Sequence, residues 1–182
     1  MKKLFKKYKS VIRFILLFLG VYLLLSLLYG LYLNFSKGGL YTPDYVTHLV
    51  ARQSTAVISG LDYNAEIVAH DTDPTMKLIV NGDYVARIIE GCNSVSIIIL
   101  FIAFVIAFAQ KFKKTVLFIL AGSVLIYAIN IIRIVILAIA LYHYPEYEKV
   151  LHGVVFPGLI YGMVFLLWML WVKMLNKTET NE

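Results

Sequence analysis

Four long apolar runs dominate this sequence, at residues 11–33, about 93–110, about 115–141 and about 150–172. A helix rises about 1.5 Å per residue, so roughly 20 apolar residues cross a hydrocarbon core about 30 Å thick. Hydrophobic residues make up 60% of the 182 residues and charged residues only 15%, which is too apolar for a soluble domain. The pattern predicts an all-α polytopic membrane protein with four transmembrane helices.

The basic residues predict how these helices are oriented. Lysine and arginine cluster before the first run, between the second and third, and after the fourth, which places 11 of the 17 on one side. These residues are Lys2, Lys3, Lys6, Lys7, Lys9, Arg13, Lys111, Lys113, Lys114, Lys173 and Lys177. Because cytoplasmic loops are enriched in Lys and Arg, both termini are predicted to be cytoplasmic. The net charge of +6 then reflects topology, and no nucleic-acid partner is expected.

These boundaries divide the chain into five segments. Residues 1–10 form a basic cytoplasmic N-terminus, 11–33 the first transmembrane helix, 34–91 an extracytoplasmic folded segment, 92–175 a core with helices two to four, and 176–182 a cytoplasmic tail. The first run is longer than the apolar part of a signal peptide and lacks a small-residue cleavage site after it. We therefore expect the first helix to be retained.

The extracytoplasmic segment is predicted to be a small α+β unit. Thr42-Pro43-Asp44 offers a capping hydroxyl, a proline for the first helical position and an acid for the first turn. This signal predicts a short helix that ends near Ser59. Asn81-Gly82 tolerates the positive φ angles of a tight turn, so Met76–Val80 and Asp83–Ile89 are predicted to form a hairpin.

Three chemically distinctive residues are predicted to lie at one depth. Counted from the cytoplasmic lysines, Cys92, Arg133 and His152 lie 19 to 21 residues away, which is roughly 28 to 31 Å along a helix. A thiol, a guanidinium and an imidazole from three different helices thus reach the outer face of the membrane together. Cys92 is predicted to begin the second helix, where the positive end of the helix dipole favours a reactive thiolate.

Simpler explanations exist for these residues. A lone cysteine is often an inert buried thiol, and Arg133 could extend to lipid phosphates. Against the lipid explanation, Ser123, Tyr127 and Asn130 form a polar stripe on the helical face of Arg133. A stripe of this kind favours a role inside the bundle, with Asn130 in support of Arg133.

The histidines and glycines give weaker signals. The four histidines, His48, His70, His143 and His152, lack the i,i+4 spacing of a zinc site, so no metal is predicted. His143 stays open as an alternative to His152, because both flank one short loop. Gly158 and Gly162 form a G-x-x-x-G pattern, which predicts close contact with another helix.

Gly91-Cys92 opening one membrane helix, Asn130-x-x-Arg133-Ile134 in the next and His152 at the start of another together resemble the exosortase and archaeosortase family of membrane-embedded cysteine transpeptidases. With four helices, the chain is most similar to a compact variant of the exosortase F type. Exosortases commonly continue the cysteine motif with Ser-Gly, whereas this sequence has Asn93-Ser94.

The resemblance implies an enzyme that forms a thioester. Cys92 would be the nucleophile, His152 the base and acid, and Arg133 the cation that stabilises the oxyanion or orients the substrate, with residues 92–175 as the exosortase-like core. No cofactor is implied. The implied location is the bacterial cytoplasmic (inner) membrane, with the active site facing the periplasm.

The implied partners follow from this activity. They are exported proteins with a C-terminal sorting signal, which consists of a short motif, a transmembrane helix and a basic tail, together with the lipid bilayer and a small associated membrane protein. A non-catalytic membrane scaffold or assembly partner in protein export is the alternative. A small transporter is disfavoured, because it would have broken helices and internal repeats.

Overall fold

The computed structural model describes residues 8–109 and 111–179, and their side chains as far as Leu175. Five helices longer than ten residues occur in this part of the chain: α1 (Lys9–Ser36), α2 (Tyr45–Ser59), α3 (Val95–Ala107), α4 (Phe112–His143) and α5 (Phe156–Glu179). Three strands lie between α2 and α3: β1 (Ala65–Ala69), β2 (Met76–Val80) and β3 (Asp83–Ile88). Residues 1–7 of the predicted N-terminal segment and residues 180–182 of the predicted tail lie outside the described residues.

Three helical stretches are long and apolar enough to cross a membrane. They are α1, α4 and the stretch Pro145–Leu175, which ends within α5. The predicted second span, 93–110, differs: its helix α3 has 13 residues, which is about 20 Å, because the backbone leaves the helix at Phe108. The described chain therefore combines three helices of full spanning length with one shorter apolar helix.

Helix α3 lies against α1, α4 and α5. The fully buried rings and aliphatic side chains between these helices include Phe101, Val105, Ile126, Val164 and Trp171. Gly122 allows the closest approach, because a Cβ atom at this position would overlap the ring of Phe101. The α3–α4 contact thus depends on the absence of a side chain at Gly122.

The G-x-x-x-G face of α5 makes no such contact. Gly158 and Gly162 are exposed, and a Cβ atom built on either one meets no atom within 4 Å. The predicted close packing of this face against another helix therefore does not occur within the described part of the chain.

The segment between α1 and α3 folds into a helix and an antiparallel sheet. The strand order is β1-β2-β3, and the hairpin predicted at Asn81-Gly82 is confirmed, with both residues at positive φ. Strand β1 was not predicted, because its short and largely exposed sequence gives little hydrophobic alternation. The side chains of β2 are alternately buried, as expected for a strand between two others with one covered face.

Helix α2 begins later than predicted. Asp44, not Thr42, is the N-cap residue, and its carboxylate accepts hydrogen bonds from the backbone N–H groups of Val46 and Thr47. A carboxylate cap satisfies two free amides at once, so the helix starts at Tyr45.

The sheet packs on α2 and on α4, and this contact positions the turn that carries Cys92. The core there consists of buried aliphatic residues from α2, β2, β3 and α4, namely Val50, Ala51, Ile58, Met76, Leu78, Val80, Ile88, Ile131, Ile134, Val135 and Ala138. The last strand leaves this core at Ile88 and leads directly to the turn that carries the single cysteine.

Candidate active site

Cys92 lies in a short 3-10 turn, Glu90–Asn93, that precedes α3. Its backbone N–H donates a 2.8 Å hydrogen bond to the carbonyl oxygen of Ile89, and its side chain is partly buried. The prediction that Cys92 begins the membrane helix is therefore wrong, since α3 begins at Val95. The free helix amides that were expected to surround the thiol belong to later residues.

The polar stripe of α4 reaches this turn through one residue. Asn130 is fully buried, and its side-chain amide donates a 2.7 Å hydrogen bond to the carbonyl oxygen of Cys92. The side-chain oxygen of Asn130 in turn accepts a 3.4 Å hydrogen bond from Nη1 of Arg133. Asn130 thus joins the cysteine turn to the arginine, as a supporting residue would.

The other members of the stripe contribute differently. The hydroxyl of Tyr127 donates a 2.7 Å hydrogen bond to Gln53 of α2, which fastens α2 to α4. The hydroxyl of Ser123 is buried without a hydrogen-bond partner in the described chain. Neither residue takes part in the contact between Asn130, Cys92 and Arg133.

One cavity of about 250 Å³ is lined by all three predicted site residues, Cys92, Arg133 and His152. Its remaining lining comes from β3 and the residue after it, from β2, from α4 and from the turn before α5. These residues are Leu78, Val85, Ala86, Arg87, Ile88, Ile89, Ile134, Leu137, Leu141 and Glu148. A thiol, a guanidinium and an imidazole therefore line one mostly aliphatic cavity.

The structure separates the two histidines that the sequence left as alternatives. His152 is exposed at the cavity, in a π-helical turn, Leu151–Val155. His143 lies at the end of α4, where its Nε2 is 3.0 Å from the hydroxyl of Tyr63, and it does not line the cavity. Single-turn π segments are frequent at functional sites, and of these two histidines His152 is the one that lines the same cavity as Cys92.

Asn93 holds the cysteine turn from the other side. Its side chain is 1% exposed, and its amide donates hydrogen bonds to the hydroxyl of Tyr29 (2.7 Å) and to that of Thr47 (3.0 Å). Its side-chain oxygen accepts from the backbone N–H of Val95 (3.0 Å), the first residue of α3. Asn93 thereby connects the turn to both α1 and α2.

The same network continues to the cap of α2. The hydroxyl of Thr47 donates to the carboxylate of Asp44, which is fully buried and also accepts a 3.0 Å hydrogen bond from the hydroxyl of Tyr32. Sequence reasoning missed this network, although two tyrosines three residues apart near the end of an apolar helix are a readable sign of a polar partner.

Sequence reasoning also missed two charged residues at the cavity. Glu148 lies four residues before His152, and Arg87 comes from β3. A hydrogen bond with Tyr84 raises the pKa of Arg87, and its guanidinium also contacts Asp73 at 3.1 Å. Across residues 8–109 and 111–179, no three His, Cys, Asp or Glu side chains gather as metal ligands would.

Comparison with known families adds one finding. A family model described as transmembrane exosortase (Exosortase_EpsH) matches residues 7–172. The match includes Cys92, Arg133 and His152, and it also covers α1 and the sheet. Neither a curated protein nor a solved structure matches the chain.

Proposed function

Because the chain belongs to the transmembrane exosortase family, we propose that it is a membrane-embedded cysteine peptidase or transpeptidase that cleaves a C-terminal sorting signal of exported proteins. Cys92, Arg133 and His152 are its proposed catalytic residues, and Asn130 positions two of them. The observation that carries the proposal is the single cavity lined by thiol, guanidinium and imidazole.

The reaction begins with Cys92. His152 takes the thiol proton, and the thiolate attacks the carbonyl carbon of the scissile peptide bond. The carbonyl π electrons move to oxygen, which gives a tetrahedral oxyanion bound to Sγ. Cys92 is partly buried and lines this cavity together with aliphatic side chains, which suit the apolar part of a peptide substrate.

Arg133 is placed to stabilise that oxyanion. Nη1 of its guanidinium is held by Asn130, while its Nε is buried and has no hydrogen-bond partner in the described chain. An unsatisfied buried donor is costly unless a ligand satisfies it. A fixed planar cation with a free N–H group suits a charge that develops only in the transition state.

His152 completes the acyl transfer. The imidazolium gives its proton to the leaving amine as the carbon–nitrogen bond breaks, and a thioester between the substrate and Sγ of Cys92 remains. A second amine or water then attacks the thioester and releases the thiol. An amine gives transpeptidation, and water gives hydrolysis.

The lysine asymmetry supports an orientation for this chemistry. Both termini lie in the cytoplasm, four helices cross the bacterial inner membrane, and the cavity faces the periplasm. In this arrangement α3 is a short fourth crossing, and the exosortase F type remains the proposed subtype. The substrate's transmembrane helix lies beside the bundle, and a small membrane protein is a proposed additional partner.

The proposal is tested with a tailed reporter. This is an exported alkaline phosphatase that ends in an extended peptide, an apolar helix of about 20 residues and a basic tail taken from a candidate substrate of the same cells. Co-expression with the wild-type protein should yield shortened reporter and a thioester adduct at Cys92 that hydroxylamine releases. Cys92→Ala and Cys92→Ser should abolish both while they keep the protein level.

The scaffold alternative gives a different result. If the reporter is sorted or shortened equally well by the Cys92→Ala protein, the thiol has no chemical role and the catalytic proposal fails. The matched comparison is Cys92→Ser, because it preserves size and polarity but is a far poorer nucleophile.

A further inference from the structure

Strand β3 forms one wall of a groove that leads to Cys92, and we propose that the groove binds the substrate as an added β-strand. The ligand is the extended peptide that contains the scissile bond, and it pairs through its backbone with the free edge of β3. This inference rests on the proposed function and identifies how the substrate is held.

The edge of β3 is available for such pairing. In the sheet β1-β2-β3, the third strand pairs only with β2 in the described chain. Apart from its pairing with β2, its backbone forms no backbone–backbone hydrogen bond within the described residues. An edge strand offers a row of unpaired N–H and C=O groups, which bind extended peptides in many proteins.

The groove runs along the whole strand. The cavity at Cys92 and a neighbouring hollow of about 220 Å³ share the lining residues Val85, Leu141 and Glu148, so the two lie side by side along β3. Every residue of Asp83–Ile88 lines one or the other. Six residues of strand are roughly 20 Å long, which matches an extended peptide of about the same number of residues.

A β-bulge lies where the two hollows join. Tyr84 pairs with Ile79 and Ala86 pairs with Leu78, so Val85 is the extra residue of β3. Bulges occur preferentially at sheet edges and beside active sites, where they bend the strand. Here the extra residue, Val85, lines both the hollow and the cavity that Cys92 also lines.

The lining of the groove favours a peptide over a lipid chain. Asp83, Tyr84, Arg87 and Glu148 give it polar walls, while Leu137 and Leu141 form an apolar floor. An acyl chain has no groups to satisfy a strand edge, whereas a peptide backbone has a donor and an acceptor per residue. Cys92, whose thiol must reach one peptide carbonyl in the proposed reaction, lines the same cavity as the second half of β3.

Proline substitution in the reporter tests the pairing without any change to the enzyme. Each residue of the extended peptide is replaced by proline in turn, and cleavage by the wild-type protein is measured. Because alternate residues of a paired strand direct their N–H groups to the neighbouring strand, cleavage should fall about tenfold at every second position. Equal effects at neighbouring positions would overturn strand pairing.

Photocrosslinking gives an independent readout with a matched control. Benzoylphenylalanine replaces Tyr84 on β3 or Val68 on β1, which are 53% and 39% exposed at opposite edges of the sheet, in a Cys92→Ala protein that retains the uncleaved reporter. The reporter should crosslink at position 84 at least tenfold more than at position 68. Equal crosslinking, or a preference for position 68, would refute the site on β3.

The two proposals fail separately. Cleavage that needs Cys92 but shows neither the proline alternation nor the preference for position 84 would leave the peptidase proposal intact and remove the groove. Cleavage that does not need Cys92 would remove the peptidase proposal itself.

Discussion

The side-chain amide of Asn130 donates a 2.7 Å hydrogen bond to the backbone carbonyl of Cys92, and the oxygen of the same side chain accepts from Arg133. One buried residue of α4 therefore fixes the spacing between the proposed nucleophile and the proposed oxyanion donor. The relationship explains how an asparagine can matter for catalysis without contact with the substrate.

Replacement of Asn130 should separate its two contacts. Asn130→Ala removes both and should lower the free energy of unfolding by about 1–3 kcal/mol, because it leaves buried groups unsatisfied. Asn130→Asp keeps an acceptor for Arg133 but has no amide to donate to Cys92. Reporter cleavage, normalised to protein level, is measured for both variants. If Asn130→Asp regains the cleavage that Asn130→Ala loses, the contact with Arg133 is the one that matters. If Asn130→Asp is also inactive, the contact with the cysteine turn is the one that matters.

Arg133→Lys should retain the fold and lose most cleavage. Lysine keeps the positive charge but lacks the planar fork of donors, and loss of one oxyanion donor typically costs about 10²–10³ in rate. The measurement is the initial rate of reporter cleavage at equal protein level. A lysine variant with wild-type turnover would show that Arg133 serves only as a charge near lipid phosphates.

Ser94→Gly should be tolerated and should stabilise the protein by about 1 kcal/mol. Ser94 has φ of 61°, a left-handed conformation that glycine adopts without strain. The hydrogen bond from its hydroxyl to the carbonyl of Asn93 offsets part of this gain. Thermal unfolding in detergent checks the sign, with Ser94→Val as the opposite case, since a β-branched side chain should lower the midpoint.

Gly122→Ala should destabilise the bundle by about 1–3 kcal/mol, because the added methyl group meets the buried ring of Phe101. Gly158→Ala is the matched control: it places the same methyl group in open space on α5. The thermal midpoint of each variant in detergent tests the contrast, and equal midpoints would contradict the close α3–α4 contact.

The proposed topology predicts how two new cysteines react with an impermeant thiol reagent. In a Cys92→Ser background, a cysteine at Asp71 should be labelled from outside intact cells, and a cysteine at Lys113 should be labelled only after the membrane is opened. Asp71 suits this test because its side chain is on the surface. There it forms an ion pair with Lys77, which lowers the pKa of the Asp71 carboxyl group. Labelling of position 113 in intact cells would reverse the proposed orientation.

The number of residues between each candidate site residue and the nearest cytoplasmic lysine cluster was the most informative property of the sequence. Each apolar run is mainly helical, so this number gives an approximate distance along the helix axis. The numbers for Cys92, Arg133 and His152 are similar, and all three residues line one cavity. The hairpin was also predictable, because Asn81-Gly82 encodes its turn locally.

Features that depend on distant residues could not be predicted in this way. The turn that carries Cys92 is held by a hydrogen bond between Asn93 and Tyr29, 64 residues earlier in the sequence. Strand β1 acquires its structure from pairing with β2, not from its own pattern. Helix α3 is shorter than predicted. Its apolar run includes turn residues at both ends, and hydropathy does not distinguish these from helical residues.

The hydrogen bonds of Tyr29 and Tyr32 mean that α1 is not an interchangeable membrane anchor. A foreign apolar helix of the same length would insert equally well, because insertion depends on apolar length. It would, however, remove one hydrogen bond from the buried amide of Asn93 and one from the carboxylate of Asp44. A chimera with a foreign anchor should therefore carry both tyrosines, three residues apart, to keep the turn of Cys92 tied to the first helix.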